Sequence, residues 1–399
     1  MSYGEVIENS AQRLRNLRER GGTAIGYLYP HIPIELFLAH GLTPSLIRTN
    51  PSTSAGFEDS LQTFSCAFTR NVFSQRANGL LTDFSGVLFP GNTCDALQNV
   101  GDVWRKRFTD DRILRLTYPV STTDASISFL AEELRLLSAT LENVFGKAFS
   151  ATEYDAAVGL VNDFKANTQF LYAARVLDRT LVSYSRLVGL VRDFLTAPEP
   201  DILSEIVDTA NSVRTICNEN GMLEHIEQIQ TGLLTGDIPE IKTPSTEDPR
   251  IMVVGGMVEP QAIVSLFDNL DGVTSDIIAL DLLSFGFKTV FTPATPYNED
   301  PFLDMANSIL KAPLEPTHEG LQVRVRFLKQ LLQGLHIDGV VICEQSFCDP
   351  DEFESPSHEK VSQDVGVPSL RLPLDPELSD RNRLEGRLQT FMETLQEVG

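Results

Sequence analysis

The chain has 399 residues, 42% hydrophobic and 22% charged, enough for two or three cores and ordinary for a globular protein. No run is apolar enough to span a bilayer, and the opening Met-Ser-Tyr-Gly-Glu lacks the basic-then-apolar pattern of a signal peptide, so a cytoplasmic location is expected. A net charge of -23, from 55 Asp+Glu against 32 Lys+Arg, argues against a nucleic-acid-binding surface and leaves either a solubility device or a face for a basic partner.

Residues 4–20 read as a charged helix, and Thr23–Tyr29 as a short buried strand. Pro33 starts a helix that runs to Ala39, with Gly41 as its C-terminal stop. Ser45–Arg48 is a second strand, Gly86–Pro90 a third, Asp95–Phe108 a helix and Ile113–Leu116 a fourth strand. This strand–helix–strand rhythm predicts a parallel α/β sheet. From Asp124 to Leu234 the period changes to that of helices, as in Ile202, Ile206, Ala210, Val213 and Cys217. Ile238–Asp248, rich in Pro, Thr, Glu and Asp, reads as a linker.

A second α/β unit begins at Arg250. Ile251–Val254 is a strand, Gly255-Gly256 a tight loop and Pro260–Leu270 a helix. Gly339–Cys343 is a strand, Asp349 to about Val365 a helix, Val367–Leu372 a strand and Arg381–Val398 a terminal helix. The expected organisation is a first α/β domain with its N-terminal helix over 1–123, a helical domain over 124–237, a linker over 238–249 and a second α/β domain over 250–399.

Five cysteines, Cys66, Cys94, Cys217, Cys343 and Cys348, do not suggest a disulfide framework; core thiols, metal ligands or a nucleophile remain. Cys94 lies four residues past one predicted strand and Cys348 five past another. Ligands gather beyond the carboxyl ends of strands in open α/β sheets. Both cysteines stand at predicted helix starts, the second with Asp349 as N-cap, Pro350 next and Glu352 placed for a capping box. A helix N-terminus stabilises thiolate, so both thiols are expected exposed, acidified and facing a cleft. With no C-x-x-C or ferredoxin-type run, the spacing leaves cluster binding and buried structural thiols both open. Cys217 lies on an apolar helix face and reads as core, and Cys343 ends a buried strand.

Phosphate-loop, dinucleotide and nucleophile-elbow motifs are missing, as is any H-x-x-x-H pair among the six histidines. Gly255-Gly256 is a weak anion-site signal with helix packing as the simpler reading. His31 and His40 are candidates for acid or base near the first cleft, against a packing role. Arg105-Lys106-Arg107, the densest basic triplet, reads either as an anion pocket or as a solvated helix face.

Several segments in order carry a resemblance: Tyr29-Pro-His-Ile-Pro-Ile-Glu35 with Ala39-His-Gly41, Phe64-Ser-Cys66, Gly86-Val-Leu-Phe-Pro-Gly-Asn-Thr-Cys94-Asp95, Asp338-Gly-Val-Val-Ile-Cys-Glu-Gln-Ser-Phe-Cys348-Asp-Pro350, Gly366-Val-Pro-Ser-Leu and Arg387-Leu-Gln-Thr-Phe391. Together they resemble the 2-hydroxyacyl-CoA dehydratase and benzoyl-CoA reductase family, in its smaller-subunit type, over nearly the whole length. The resemblance implies two Rossmann-like parallel-sheet domains with a helical domain between them and a [4Fe–4S] cluster at the cleft. Cys66, Cys94 and Cys348 match the family's three cluster ligands and leave one iron open. It also implies a paralogous partner subunit, an acyl-CoA substrate and a separate ATP-dependent iron–sulfur activator.

In such dehydratases one injected electron makes a ketyl radical from the thioester, the 2-hydroxyl leaves and a 2-enoyl-CoA forms. Two alternatives share the resemblance: a benzoyl-CoA-type ring reductase subunit, and a non-catalytic electron carrier or orphan reductase. The sequence departs from many relatives at Ile278-Ala-Leu-Asp281 and at Glu385-Gly-Arg387, which fits a subunit specialised for another acyl group or for electron relay, the relay being the expected role.

Overall fold

The computed structural model describes residues 3–241 and 248–398, with the side chains of 397 and 398 left aside. The core of the expected linker, residues 242–247, lies outside the described residues.

Two four-stranded parallel sheets organise the chain. The first holds β1 (Ala24–Tyr27), β2 (Thr43–Leu46), β3 (Gly86–Gly91) and β4 (Ile113–Thr117) in the order β2-β1-β3-β4. The second holds β5 (Ile251–Gly255), β6 (Ile278–Leu282), β7 (Gly339–Gln345) and β8 (Ser369–Leu374) in the order β6-β5-β7-β8. The two orders are the same, so the two sheets repeat one topology. In each sheet the chain reverses its direction of progress between the two central strands, where ligands collect.

Burial explains why these segments are strands. Every residue of β1, β3 and β7 is buried, as parallel strands covered on both faces must be. Edge strand β4 alternates instead, with Leu114 and Leu116 buried and Arg115 exposed. Pro44 is tolerated because β2 is an edge strand. Pro90 lies in a central strand, but beyond Leu88, where pairing with β1 ends.

The first sheet is flanked by α1 (Tyr3–Glu19), α2 (Ile34–Ala39), α3 (Ala67–Ala77) and α4 (Asp95–Arg107). Five helices then run in succession: α5 (Asp124–Phe145), α6 (Ala151–Leu177), α7 (Tyr184–Thr196), α8 (Pro200–Glu219) and α9 (Leu223–Thr235). Thr123, Ser150 and Ser183 cap the first three with side-chain oxygens. The buried residues of α8 are Ile202, Ile206, Ala210, Val213 and Cys217, the stripe legible in the sequence. Around the second sheet lie α10 (Pro260–Phe267), α11 (Pro301–Leu310), α12 (Leu321–Gly334), α13 (Asp349–Val365) and α14 (Arg381–Val398).

Several boundaries differ from expectation. α3, β6, α11 and α12 were not anticipated; β8 begins two residues later and α10 ends three earlier. Strand β6 is short and wholly buried, so neither alternation nor flanking turn residues mark it.

A buried polar seam joins the two sheets' surroundings. Arg48 beyond β2 donates to both carboxylate oxygens of Glu259 at the N-cap of α10, at 2.8 and 3.0 Å. Asn71 of α3 donates to Glu377 at 2.7 Å. Arg175, at the buried end of α6, donates to the carbonyls of Ile278 and Val182. Burial lowers the Arg175 guanidinium to about 10, so it stays charged near neutrality.

Candidate functional site

Three of the five cysteines are helix N-caps: Cys66 precedes α3, Cys94 precedes α4 and Cys348 precedes α13. The last two stand at equivalent places, each three residues past a central strand, β3 ending at Gly91 and β7 at Gln345. Each is reached through a left-handed residue, Asn92 (φ 59°) and Phe347 (φ 60°). Asn adopts that conformation readily; for Phe it costs about 1–2 kcal/mol. Neighbours hold Phe347 there. Its N–H donates to Glu352 Oε1 at 3.0 Å, and the Arg70 guanidinium lies 5.3 Å from its ring centre.

The loops of Cys66 and Cys348 are tied together. Ala67 N–H donates to the Ser346 carbonyl at 2.9 Å, and Arg70 of α3 lies between the rings of Phe57 and Phe347. The Cys348 thiol donates to the Cys66 sulfur, and Cys94 lies within electrostatic range of Cys66. The fold therefore brings together the three cysteines singled out in the sequence, two from the first sheet and one from the second. Of the three sulfurs, that of Cys94 accepts a backbone N–H from its own first helical turn, Leu97 N at 3.5 Å.

Two expectations are corrected here. The N-cap of α13 is Cys348, not Asp349, so Pro350 falls one place later and Glu352 bonds Phe347 instead of closing a capping box. The thiols of Cys94 and Cys348 are not open and acidified: both are half-buried. Burial pushes Cys94 up to about 12 despite the N–H groups. Cys348 is pushed up by donating to Cys66, and Cys66 is lowered by accepting that bond. Desolvation outweighs the helix termini where no positive charge is at hand.

The donor set suits an iron–sulfur cluster. Soft sulfur ligands select such clusters, and three helix N-termini oppose the negative charge of thiolates on inorganic sulfide. Among the described residues no three His, Cys, Asp or Glu side chains close around a single ion. Asp351 works the other way, as a carboxyl beside Cys348 and Cys66 that burial pushes up to about 7.

The model of the 2-hydroxyglutaryl-CoA dehydratase D-component family matches residues 30–395, from the loop after β1 into α14. This chain belongs to that family. Relatives include the (R)-phenyllactyl-CoA dehydratase beta subunit of Clostridium sporogenes, 19% identical over 98% of this chain and 97% of its own. Lactoyl-CoA dehydratase subunit beta of Anaerotignum propionicum is 22% identical over 94% of this chain and 93% of its own. (R)-2-hydroxyglutaryl-CoA dehydratase, subunit beta, of Acidaminococcus fermentans is 20% identical over 98% of both chains.

The Tyr29–Glu35 segment that carried the family resemblance is a junction. Tyr29 OH shares a hydrogen bond with Thr317 at 3.0 Å, Glu35 accepts from Thr295 at 2.7 Å, and the His31 carbonyl accepts from Tyr118. His31 Nε2 stands 3.3 Å from Glu315 Oε1, close enough to attract but poorly aligned for a hydrogen bond. Glu315 Oε2 accepts from Ser284 at 2.8 Å and Lys288 at 3.0 Å, and Lys288 also donates to the Gly255 carbonyl at 3.2 Å. Sequence reasoning missed Lys288, Glu315 and Ser284, since no motif joins residues up to 31 positions apart on different loops. His40 is structural, with its ring nitrogens bonded to the Lys147 carbonyl and to Ser138.

Gly256 is needed for close approach: a Cβ there would meet Asp351 Oδ1 at 2.3 Å, inside the first turn that presents Cys348. Gly256→Ala is expected to cost about 1–3 kcal/mol by overpacking. Urea unfolding checks this, and Gly21→Ala, with open space around its Cβ but φ of 81°, serves as a control for backbone strain alone.

The positions where the sequence departs from many family members are occupied internally. Asp281 is fully buried and accepts from Tyr172 OH at 2.8 Å and from Leu283 and Phe287 N–H at 3.1 Å. Burial pushes its carboxyl up. Glu385 pairs with Arg381 and accepts from Asn269, and Arg387 donates to the Arg371 carbonyl. The basic triplet is a solvated helix end: Arg105, Lys106 and Arg107 are exposed, and Arg105 pairs with Asp102 at 2.8 Å. Cys217 and Cys343 are buried. No described helix is long and apolar enough to cross a membrane.

Proposed function

We propose that this chain is the iron–sulfur subunit of a 2-hydroxyacyl-CoA dehydratase, holding a [4Fe–4S] cluster on Cys66, Cys94 and Cys348. It works in the cytoplasm beside a paralogous subunit and receives electrons from a separate ATP-hydrolysing iron–sulfur activator. The observation that carries this reading is the meeting of three cysteine N-caps at the carboxyl ends of two parallel sheets, in a chain of this family. The bound cluster supplies one-electron chemistry at a potential no side chain reaches. The chain's own residues set the electrostatics: each sulfur stands at the positive end of a helix, Leu97 N–H donates to Cys94, and the Asp351 carboxyl opposes them. Arg70, between Phe57 and Phe347, ties the two loops together.

The domain assignment that goes with it is two Rossmann-like domains, 1–123 and 250–399, flanking a helical domain over 124–237. Within the complex we assign this chain the electron relay. Asp281, Glu385 and Arg387 spend their polar atoms on internal bonds, which leaves them unavailable to a thioester.

The test is anaerobic purification with the partner subunit, followed by assay on 2-hydroxyacyl-CoA thioesters. Formation of 2-enoyl-CoA is expected only with ATP and activator present, and the pure chain is expected to hydrolyse no ATP, for want of a phosphate-binding loop. Ring reduction of benzoyl-CoA without dehydration would replace this reading by the reductase one. Cluster reduction with no acyl-CoA turnover would replace it by an electron carrier. A thioester carbonyl bound beside Cys66, Cys94 and Cys348 would overturn the relay role.

A further inference from the structure

Exposed aromatic side chains flank the cysteines. Phe64, two residues before Cys66, is 64% exposed, and Phe347, next to Cys348, is 50% exposed. Phe353, near the start of α13, is 82% exposed, the highest value among the described large apolar side chains. Their loops are joined. Ala67 N–H donates to the Ser346 carbonyl at 2.9 Å, which connects the Phe64 and Phe347 loops, and Arg70 lies between Phe57 and Phe347. The outer face of α13 presents Asp349, Glu352, Phe353 and Pro356, and Glu352 accepts the Phe347 N–H at 3.0 Å, which brings that face to Phe347. Single exposed apolar residues are ordinary, but three phenylalanines on joined segments form a patch.

The same segments are acidic. Residues 58–70, 91–98 and 346–353, which carry the cysteines, hold Glu58, Asp59, Asp95, Asp349, Asp351 and Glu352 against one cation, Arg70. All of these acids except Asp351 are exposed, whereas Arg70 is half-buried. At the margin, Arg371 is neutralised by Glu344 and Glu359, and Arg115 lies beside Gly91 on edge strand β4.

We propose that this face docks a protein electron donor whose own surface is basic around an apolar centre. Phe64, Phe347 and Phe353 meet the apolar centre; Glu58, Asp59, Asp95, Asp349 and Glu352 meet the basic rim. The proposal rests on the reading of the three cysteines as a cluster site: one electron leaves the docked donor and is taken up at that centre. Charge selects the occupant. A second copy of this chain would bring the same acids and be repelled, whereas a basic face is attracted across a Debye length of about 8 Å. Size sets the lifetime. The exposed parts of the three rings amount to on the order of 400 Å². An obligate subunit interface buries about 2,000 Å² or more, so this contact suits a transient encounter and not the permanent one with the paralogous subunit.

Stopped-flow reduction of the iron-loaded complex by its ATP-loaded activator, read from the cluster absorbance, tests it. The second-order rate constant is expected to fall with added salt, and to fall about tenfold in Glu58→Lys/Asp59→Lys through lost attraction. Phe64→Ser/Phe353→Ser is expected to slow it about tenfold with the salt dependence unchanged. Iron content, association with the partner subunit and reduction by titanium(III) citrate are expected to match the unaltered complex in both variants. A rate unchanged in either variant, or one that salt does not lower in the unaltered complex, overturns the proposal. Loss of the partner subunit from either variant assigns the face to the subunit contact and overturns it too. An unaltered chain without iron, or a cluster that titanium(III) citrate reduces and the activator does not, fails the reading on which the proposal rests and the proposal with it.

Discussion

Cys66→Ser, Cys94→Ser and Cys348→Ser are each expected to strip the chain of its iron, from about four atoms per chain in the anaerobically purified protein to nearly none. The argument is geometric. Each sulfur comes from a different helix N-terminus, so no neighbouring cysteine stands ready to replace a lost one. Serine is close in size to cysteine and favoured at a helix N-cap, and so removes the soft ligand with little effect on the fold. Cys217→Ser and Cys343→Ala serve as controls, because the first thiol is on the buried face of α8 and the second within the buried strand β7. Iron and acid-labile sulfide analysis decides the matter. Full iron in any of the first three variants would remove that residue from the ligand set, and loss of iron in Cys217→Ser would mean that misfolding accounts for the result.

Glu315→Ala is expected to be the most damaging single substitution outside the cysteine site, costing about 3–5 kcal/mol by leaving the Lys288 ammonium buried without its counter-charge. Lys288→Met should cost a similar amount by stranding Glu315. The double variant Lys288→Met/Glu315→Leu should cost less than the sum, because neither charge is then left unpaired. Equilibrium unfolding in urea measures all three, and strict additivity would show that the pair is not coupled. The pair also predicts an acid limit. Burial pushes the Glu315 carboxyl up, but Lys288, His31 and Ser284 outweigh it and hold it down to about 2, against 4.5 for the free side chain. A depressed carboxyl contributes stability that is present above pH 4.5 and lost as pH falls from there toward 2. Stability profiles over that interval should be steeper for the unaltered chain than for Glu315→Ala; parallel profiles would refute the coupling.

Much of the architecture was legible because it is local. Gly86–Gly91 and Gly339–Gln345 are continuous apolar runs bounded by turn residues, and the stripe from Ile202 to Cys217 repeats at helical spacing. The helix starts after Cys94 and before Pro350 were visible for the same reason, since capping residues act within one turn. That the cysteines follow central strands was also readable, and with it the edge of the sheet on which they gather. What the chain alone determined, then, was the elements and the side of each sheet where chemistry is placed. The environment of the thiols was decided only by tertiary structure. Sequence position promised acidified sulfurs at helix termini, but Cys94 is half-buried with no cation beside it, so desolvation wins. The seam of Arg48 with Glu259, Lys288 with Glu315 and Tyr29 with Thr317 joins residues 211, 27 and 288 positions apart. No periodicity encodes such pairs, because they form only when loops distant in the chain are brought together and low dielectric makes each buried charge require a partner.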